Sequence, residues 1–160
     1  MSTIKNDILK QLNQLKGSGK FACMHKNKFV FPGLTVQGLG ELAYPINEMQ
    51  AKALIQSAQQ AAFGIGNQTV YDNNVRKTSE IEASKLEFTN KDWEKFIDKA
   101  LENIKEGLGL EDYTITANLY KLLIYKTGDF FLPHKDTEKE KGMFGTMIVG
   151  LPSSYTGGQL

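Results

Sequence analysis

One cysteine, one arginine and two histidines are all that this chain of 160 residues holds of those three residue types. The lone Cys23 excludes an intrachain disulfide and any cysteine-rich zinc site. No stretch approaches the roughly 18 consecutive apolar residues of a membrane span. The opening MSTIKNDILK is polar and amphipathic, without the apolar core of a secretory leader. Neither charge is in excess: Lys plus Arg number 19 against 18 for Asp plus Glu. Nothing electrostatic therefore recommends nucleic acid or an anionic membrane as the main partner. Repeats, low-complexity tracts and domain linkers are missing as well. What remains is 41% hydrophobic and 23% charged, the balance of a soluble globular protein, cytoplasmic or nuclear. Its length suits one domain with a real core and not two.

Ile4, Ile8, Leu12 and Leu15 recur at helical spacing behind a capping Ser2 or Thr3, and Gly17-Ser18-Gly19 ends that helix. FACMH and KFVF flank Lys26-Asn27 as a short hairpin closed by Pro32-Gly33, with LTVQG as a further strand. Asn47, with Gln50 three residues on, makes a capping box. It opens a helix through EMQAKALIQSAQQAAF, which Gly64 and Gly66 break. TVYD and the segment Ile81 to Phe88 are weaker strand candidates.

A third helix is expected from Lys91, capped by Asn90, to Glu106, with Trp93, Phe96, Ile97, Ala100, Leu101 and Ile104 on its apolar face and Gly107 as its stop. Beyond it, YTITANLYKLLIY is rich in β-branched and aromatic residues and predicts a long buried strand. Gly128 turns it into FFLPHKD, the charged loop TEKEKG follows, and MFGTMIVGL predicts another strand.

The chemistry-bearing stretch is His134-Lys135-Asp136. On an extended chain, residues two apart project from one face, so His134 and Asp136 can aim at one point. Imidazole plus carboxylate is two-thirds of the facial triad that holds non-haem Fe(II) with open positions. Alone, the tripeptide is a weak signal and reads better as a surface turn. Its neighbours are an aromatic-bearing strand with Tyr125, the Gly128 turn, Phe131 three residues before His134, an apolar strand MFGTMIVGLPS and the turn Gly157-Gly158. Together these resemble the catalytic core of the Fe(II)- and 2-oxoglutarate-dependent dioxygenases, prolyl 4-hydroxylase-like branch. GLGELAYPINEMQAKALI, FGIGNQTVYDNNVRKTSEI and LYKLLIYKTGDFFLPHKDTEKEKGMFGT, in that order, are similar to uncharacterised oxygenase-domain proteins, so the resemblance runs from about Phe21 onward.

The resemblance implies an α+β fold, with N-terminal helices packed on a double-stranded β-helix, or jelly-roll, that is partial here. Residues 1–112 would form a helical and mixed support region and 113–160 the first part of the oxygenase core, in one structural domain. It makes His134 and Asp136 iron ligands, Fe(II) the metal, 2-oxoglutarate the cosubstrate and O2 the oxidant. A C–H bond of a protein or small molecule would be oxidised, with succinate and CO2 as co-products. The family completes its triad with a later histidine and a basic residue for the cosubstrate, and no histidine follows Asp136 here. His25, far upstream, reads as structural and Cys23 as a small buried side chain. Residues 119–160 also have room for only about half of such a barrel's strands, at ~5–6 residues each. The expectation is that residue 160 is a fragment boundary and that the chain taken literally binds Fe(II) weakly with little turnover.

Tyr125 and Lys121 share one strand face. Either could hydrogen-bond a 2-oxoglutarate carboxylate, or else Tyr125 is core and Lys121 extends outward. Thr146 either faces the pocket or bonds its hydroxyl back to its own strand, and Phe131 either lines the site or packs. Arg76 offers a planar fork to a substrate carboxylate or phosphate, or braces its loop by a salt bridge. Residues 137–141 alternate in charge and read as a solvated rim, or else as a flap beside the metal. The competing function is a binding or interaction domain on the same scaffold without a working iron centre.

Overall fold

Asn47 accepts a hydrogen bond from the Gln50 backbone N–H at 2.9 Å, so the expected cap is in place at the head of a helix. In the computed structural model, which describes residues 4–14, 19–65 and 68–157, three helices are joined by short strands. In chain order these are α1 (Ile4–Gln14), β1 (Leu34–Val36), β2 (Gly40–Glu41), α2 (Glu48–Ser57), β3 (Gln59–Gln60), β4 (Phe63–Ile65), β5 (Gln68–Val70), β6 (Arg76–Lys77) and β7 (Ser79–Glu82). After a single 3-10 turn come β8 (Leu86–Phe88), α3 (Lys91–Leu108), β9 (Lys121–Ile124) and β10 (Phe130–Phe131). The class is α+β. The cap at Ser2 or Thr3, together with Leu15, Gly17, Ser18, Gly66 and Gly158, lies outside the described residues.

Two compact units form, each from two stretches of chain: Met1–Val30 with Glu94–Ala117, and Phe31–Trp93 with Asn118–Leu160. A linear division at 112/113 cuts across this arrangement, because α3 and the strands after it return to earlier partners. No helix among the described residues is long and apolar enough to cross a membrane.

In the second unit the sheets are small and antiparallel. β1 lies between β2 and β8, β7 lies between β3 and β9, and β4–β5 and β6–β10 form pairs. Leu34, Val36, Leu42, Leu54 and Ile81 make the buried core, with Tyr44, Phe88, Leu122 and Leu151 packed around it. Burying each such side chain is worth about 1.5–3 kcal/mol, so this cluster is what holds the strands in register. Phe88 stacks on Trp93, ring centroids 5.5 Å apart.

Several expectations are corrected by tertiary pairing. α2 stops at Ser57, whose hydroxyl donates to the Leu54 carbonyl at 3.0 Å, instead of running to Phe63. Gln59 and Gln60 pair with Glu80 and Ser79, and the buried Ala61 donates its N–H to the Thr78 carbonyl. Sheet bonds outweigh the helix propensity of Ala and Gln there. Residues 21–31 form no strands. A lone hairpin is marginal without a packed face, and Phe21 and Met24 are exposed.

The stop of α3 is Gly109, not Gly107. Gly109 sits at φ 68°, its N–H bonds the Glu106 carbonyl, and the Leu110 N–H bonds that of Lys105. That is a Schellman closure, which a left-handed glycine makes possible. Gly107 has a different duty inside the helix, since a Cβ there would lie 2.8 Å from that of Cys23. Of the long strand expected over 113–125 only Lys121–Ile124 forms, where β7 offers it a partner. Residues 143–151 form no strand; the nearby sheet-like contact is a single bridge from Ile46 to Ser153.

Tyr44 gives the fold a pH dependence. Burial, and secondarily the Glu41 carboxylate, push its phenol up from 10.0 to about 12. Between those values the native state keeps a proton that the unfolded chain has lost, so stability is complete below about pH 10 and falls as pH rises through 12. The expected loss is about 2 kcal/mol, read as the drop in urea-unfolding free energy between about pH 9 and about pH 11.5. Tyr44→Phe should abolish that part of the drop. An equal drop in the variant would show that the phenol is not its source.

Candidate metal centre

The route to His134 begins at a turn. Gly128 adopts φ 79°, and Asp129 closes the turn by donating its N–H to the Lys126 carbonyl and accepting that of Lys126 at 3.1 Å. β10 then pairs with β6, Phe130 opposite Lys77 and Phe131 opposite Arg76, and the Leu132 N–H bonds the Val75 carbonyl at 3.0 Å. Pro133, which has no N–H to offer, follows, and the chain leaves the ladder carrying His134.

His134 Nδ1 lies 2.8 Å from the Leu132 carbonyl oxygen. A carbonyl can only accept, so Nδ1 carries a proton and Nε2 is the nitrogen free to be a ligand. Asp136 is oriented in the same fashion: Thr146 Oγ1 donates to its Oδ2 at 2.6 Å. The remaining atoms, His134 Nε2 and Asp136 Oδ1, stand 3.4 Å apart. Cis ligands of an octahedral ion, each about 2.1 Å from it, are separated by about 3 Å, so the pair fits a small divalent cation. Each donor also has the outer partner that metal ligands characteristically use to fix tautomer and orientation. As an ion pair alone it would add little, being 39% and 52% exposed.

An aromatic ring contacts the imidazole. The Phe131 ring stacks on it with centroids 3.4 Å apart and planes 19° from parallel. Arg76 Cζ lies 4.5 Å from the centroid of that same ring, and Phe63 tilts against it at 6.1 Å. The loop after Asp136 is bonded within itself and to its neighbours. Lys139 Nζ donates to Thr137 Oγ1 at 2.7 Å, the Gly142 N–H to Glu138 at 3.1 Å, and Asn118 Nδ2 to Glu140 at 2.6 Å. The backbone of Gly64 passes close by, where a Cβ would meet Thr137 Oγ1 at 2.8 Å.

Thus His134, Asp136, Thr146, Phe131 and Arg76 are drawn into one connected set. Lys121 is engaged elsewhere: its Nζ pairs with the buried Glu80 at 2.5 Å and lies over the Tyr120 ring at 4.3 Å. Tyr125 follows β9 and is 48% exposed. His25 belongs to the other compact unit, where it lies near Gly107 with Cys23. Among the described residues no three His, Cys, Asp or Glu side chains are grouped to hold a metal, so the fit is that of two ligands. Two partners escaped sequence reasoning. The Leu132 carbonyl has no side-chain signal at all, and Glu80 would have needed the β7–β9 register to be known. The unit formed by Met1–Val30 and Glu94–Ala117 bears a concavity of ≈ 570 Å³ lined by Asp98, Lys99, Leu101, Glu102, Asn103 and Ile115, none of them a site residue. No family model, curated protein or solved structure matches the chain.

Proposed function

We propose that the chain carries the iron-binding dyad of an Fe(II)- and 2-oxoglutarate-dependent dioxygenase of hydroxylase type, on a scaffold related to the double-stranded β-helix. The observation that supports this best is the paired orientation of the two ligands. Leu132 holds the proton on His134 Nδ1 and Thr146 holds Asp136 Oδ2, leaving Nε2 and Oδ1 turned toward each other. A merely decorative surface pair has no need of both restraints.

The bound iron would supply oxidative decarboxylation of 2-oxoglutarate coupled to oxidation of a substrate C–H bond. His134 and Asp136 would hold the ion, and the remaining protein ligand would come from outside the described residues. Phe131 would exclude water from one side of the imidazole. Thr146, by bonding one carboxylate oxygen, would keep Asp136 a single-oxygen ligand and leave room for the cosubstrate. Tyr125 stands exposed and available to a carboxylate. Lys121, held by Glu80, would have to leave that partner to serve the same end.

Fe(II) titrations without oxygen, run with and without 2-oxoglutarate, test this reading. The cosubstrate is expected to tighten Fe(II) binding about fivefold or more, and Fe(II) to tighten cosubstrate binding by the same factor. Asp136→Ala should remove the coupling. Absence of coupling in the unaltered protein would count against the oxygenase reading. A second reading, an interaction domain on the same scaffold, draws on the exposed apolar side chains of Leu119, Leu132, Phe144 and Ile148. It expects no response to either ligand.

A further inference from the structure

We propose that Arg76 is a positioning residue for His134, acting through the ring of Phe131. The purpose assigned to it rests on the metal-centre reading above, while its geometry does not. Arg76 is the only arginine of the chain, and it is 7% exposed on a strand of two residues. Its Nη1 donates to the Ala62 carbonyl at 2.5 Å, and its buried Nε has no hydrogen-bond partner among the described residues. Among the described residues no carboxylate pairs with it. A guanidinium buried without a counter-charge is costly, and an apolar side chain would fill the same space more cheaply. The loop-bracing salt bridge is therefore not what keeps it there, and burial at this level takes it away from direct substrate contact.

What the guanidinium does meet is the Phe131 ring, 4.5 Å from its centroid, directly across the β6–β10 pair. Planar and delocalised, arginine holds a ring face in a way a point charge does not. Phe131 in turn stacks on the imidazole at 3.4 Å. The result is two restraints on one imidazole: the stack sets its plane, and the Leu132 carbonyl sets its rotation within that plane. The same ladder delivers both, since the Leu132 N–H is bonded to Val75, the neighbour of Arg76. The arginine thus ties the strand pair to the ligand, at one remove from the metal.

With two histidines in the chain, a proton–carbon correlation spectrum of the imidazoles has two sets of signals, assigned by His25→Ala. In the unaltered protein the His134 signals are expected to be displaced upfield by the stacked Phe131 ring. Arg76→Met should erase most of that displacement and weaken Mn(II) binding about tenfold, as losses of outer-shell partners do. Arg76→Lys, which keeps a cation over the ring, should retain a good part of both. If a folded Arg76→Met protein keeps the displacement, the assignment is wrong. If Arg76→Met does not fold, Arg76→Gln repeats the test with a planar donor for Ala62 and no charge; should neither neutral variant fold, Arg76 serves the fold and the assignment falls. Failure of the metal reading looks different. Mn(II) would then bind neither protein, while the displacement would still report whether Arg76 sets the imidazole.

Discussion

Lys121→Met is expected to cost about 3–5 kcal/mol of folding stability, the scale of a buried ion pair broken from one side. Its ammonium and the Glu80 carboxylate lie 2.5 Å apart with side chains 13% and 7% exposed. Both sit on the sheet in which β7 pairs with β9. Removing the lysine leaves a carboxylate out of water with no cation beside it. The loss comes from that stranded charge more than from the forfeited attraction, so a double change tells the two apart. Lys121→Met with Glu80→Leu should return to within about 1 kcal/mol of the unaltered protein, because a well-packed apolar pair often replaces a buried ion pair without loss. Urea unfolding of the two single variants and the double variant gives the coupling directly. A lysine reserved for a cosubstrate carboxylate predicts the opposite pattern: near-normal stability for Lys121→Met and weakened 2-oxoglutarate binding.

Leu34→Ala is the second large effect, about 2–5 kcal/mol. Leu34 is 1% exposed, lies on the central strand of its sheet opposite Phe88, and receives the Leu42 N–H on its carbonyl. Neighbours on both flanks are held by sheet bonds and cannot close fully around the cavity. Phe144→Ala and Ile148→Ala serve as contrast. Those side chains are 61% and 64% exposed, and their loss should change stability by about 0.5 kcal/mol or less. A large effect at Ile148 would mean that the segment over 143–151 is covered in solution.

The helices were largely legible in the sequence because their signals are local. Asn47 with Gln50, and Asn90 ahead of Lys91, mark starts through caps that need no distant partner. The end of α2 was not legible, since Gln59 and Gln60 are drawn into a sheet by β7, twenty residues away. The strands over 113–125 and 143–151 fared likewise. Side-chain type announces a tendency to extend, but a strand exists only where a neighbouring backbone accepts its hydrogen bonds, as β7 does for Lys121–Ile124. At the candidate centre, His134 and Asp136 could be singled out from their spacing. The proton on Nδ1, held by a backbone carbonyl, could not, because no residue type encodes it.

Mn(II) binding by the unaltered protein, set beside His134→Ala under identical conditions and with folding checked by circular dichroism, bears most directly on the central claim. Saturable binding that weakens at least about tenfold in His134→Ala is the expected result, since the variant removes a ligand outright. Equal binding by the two proteins, or none by either, would contradict a metal centre at His134 and Asp136.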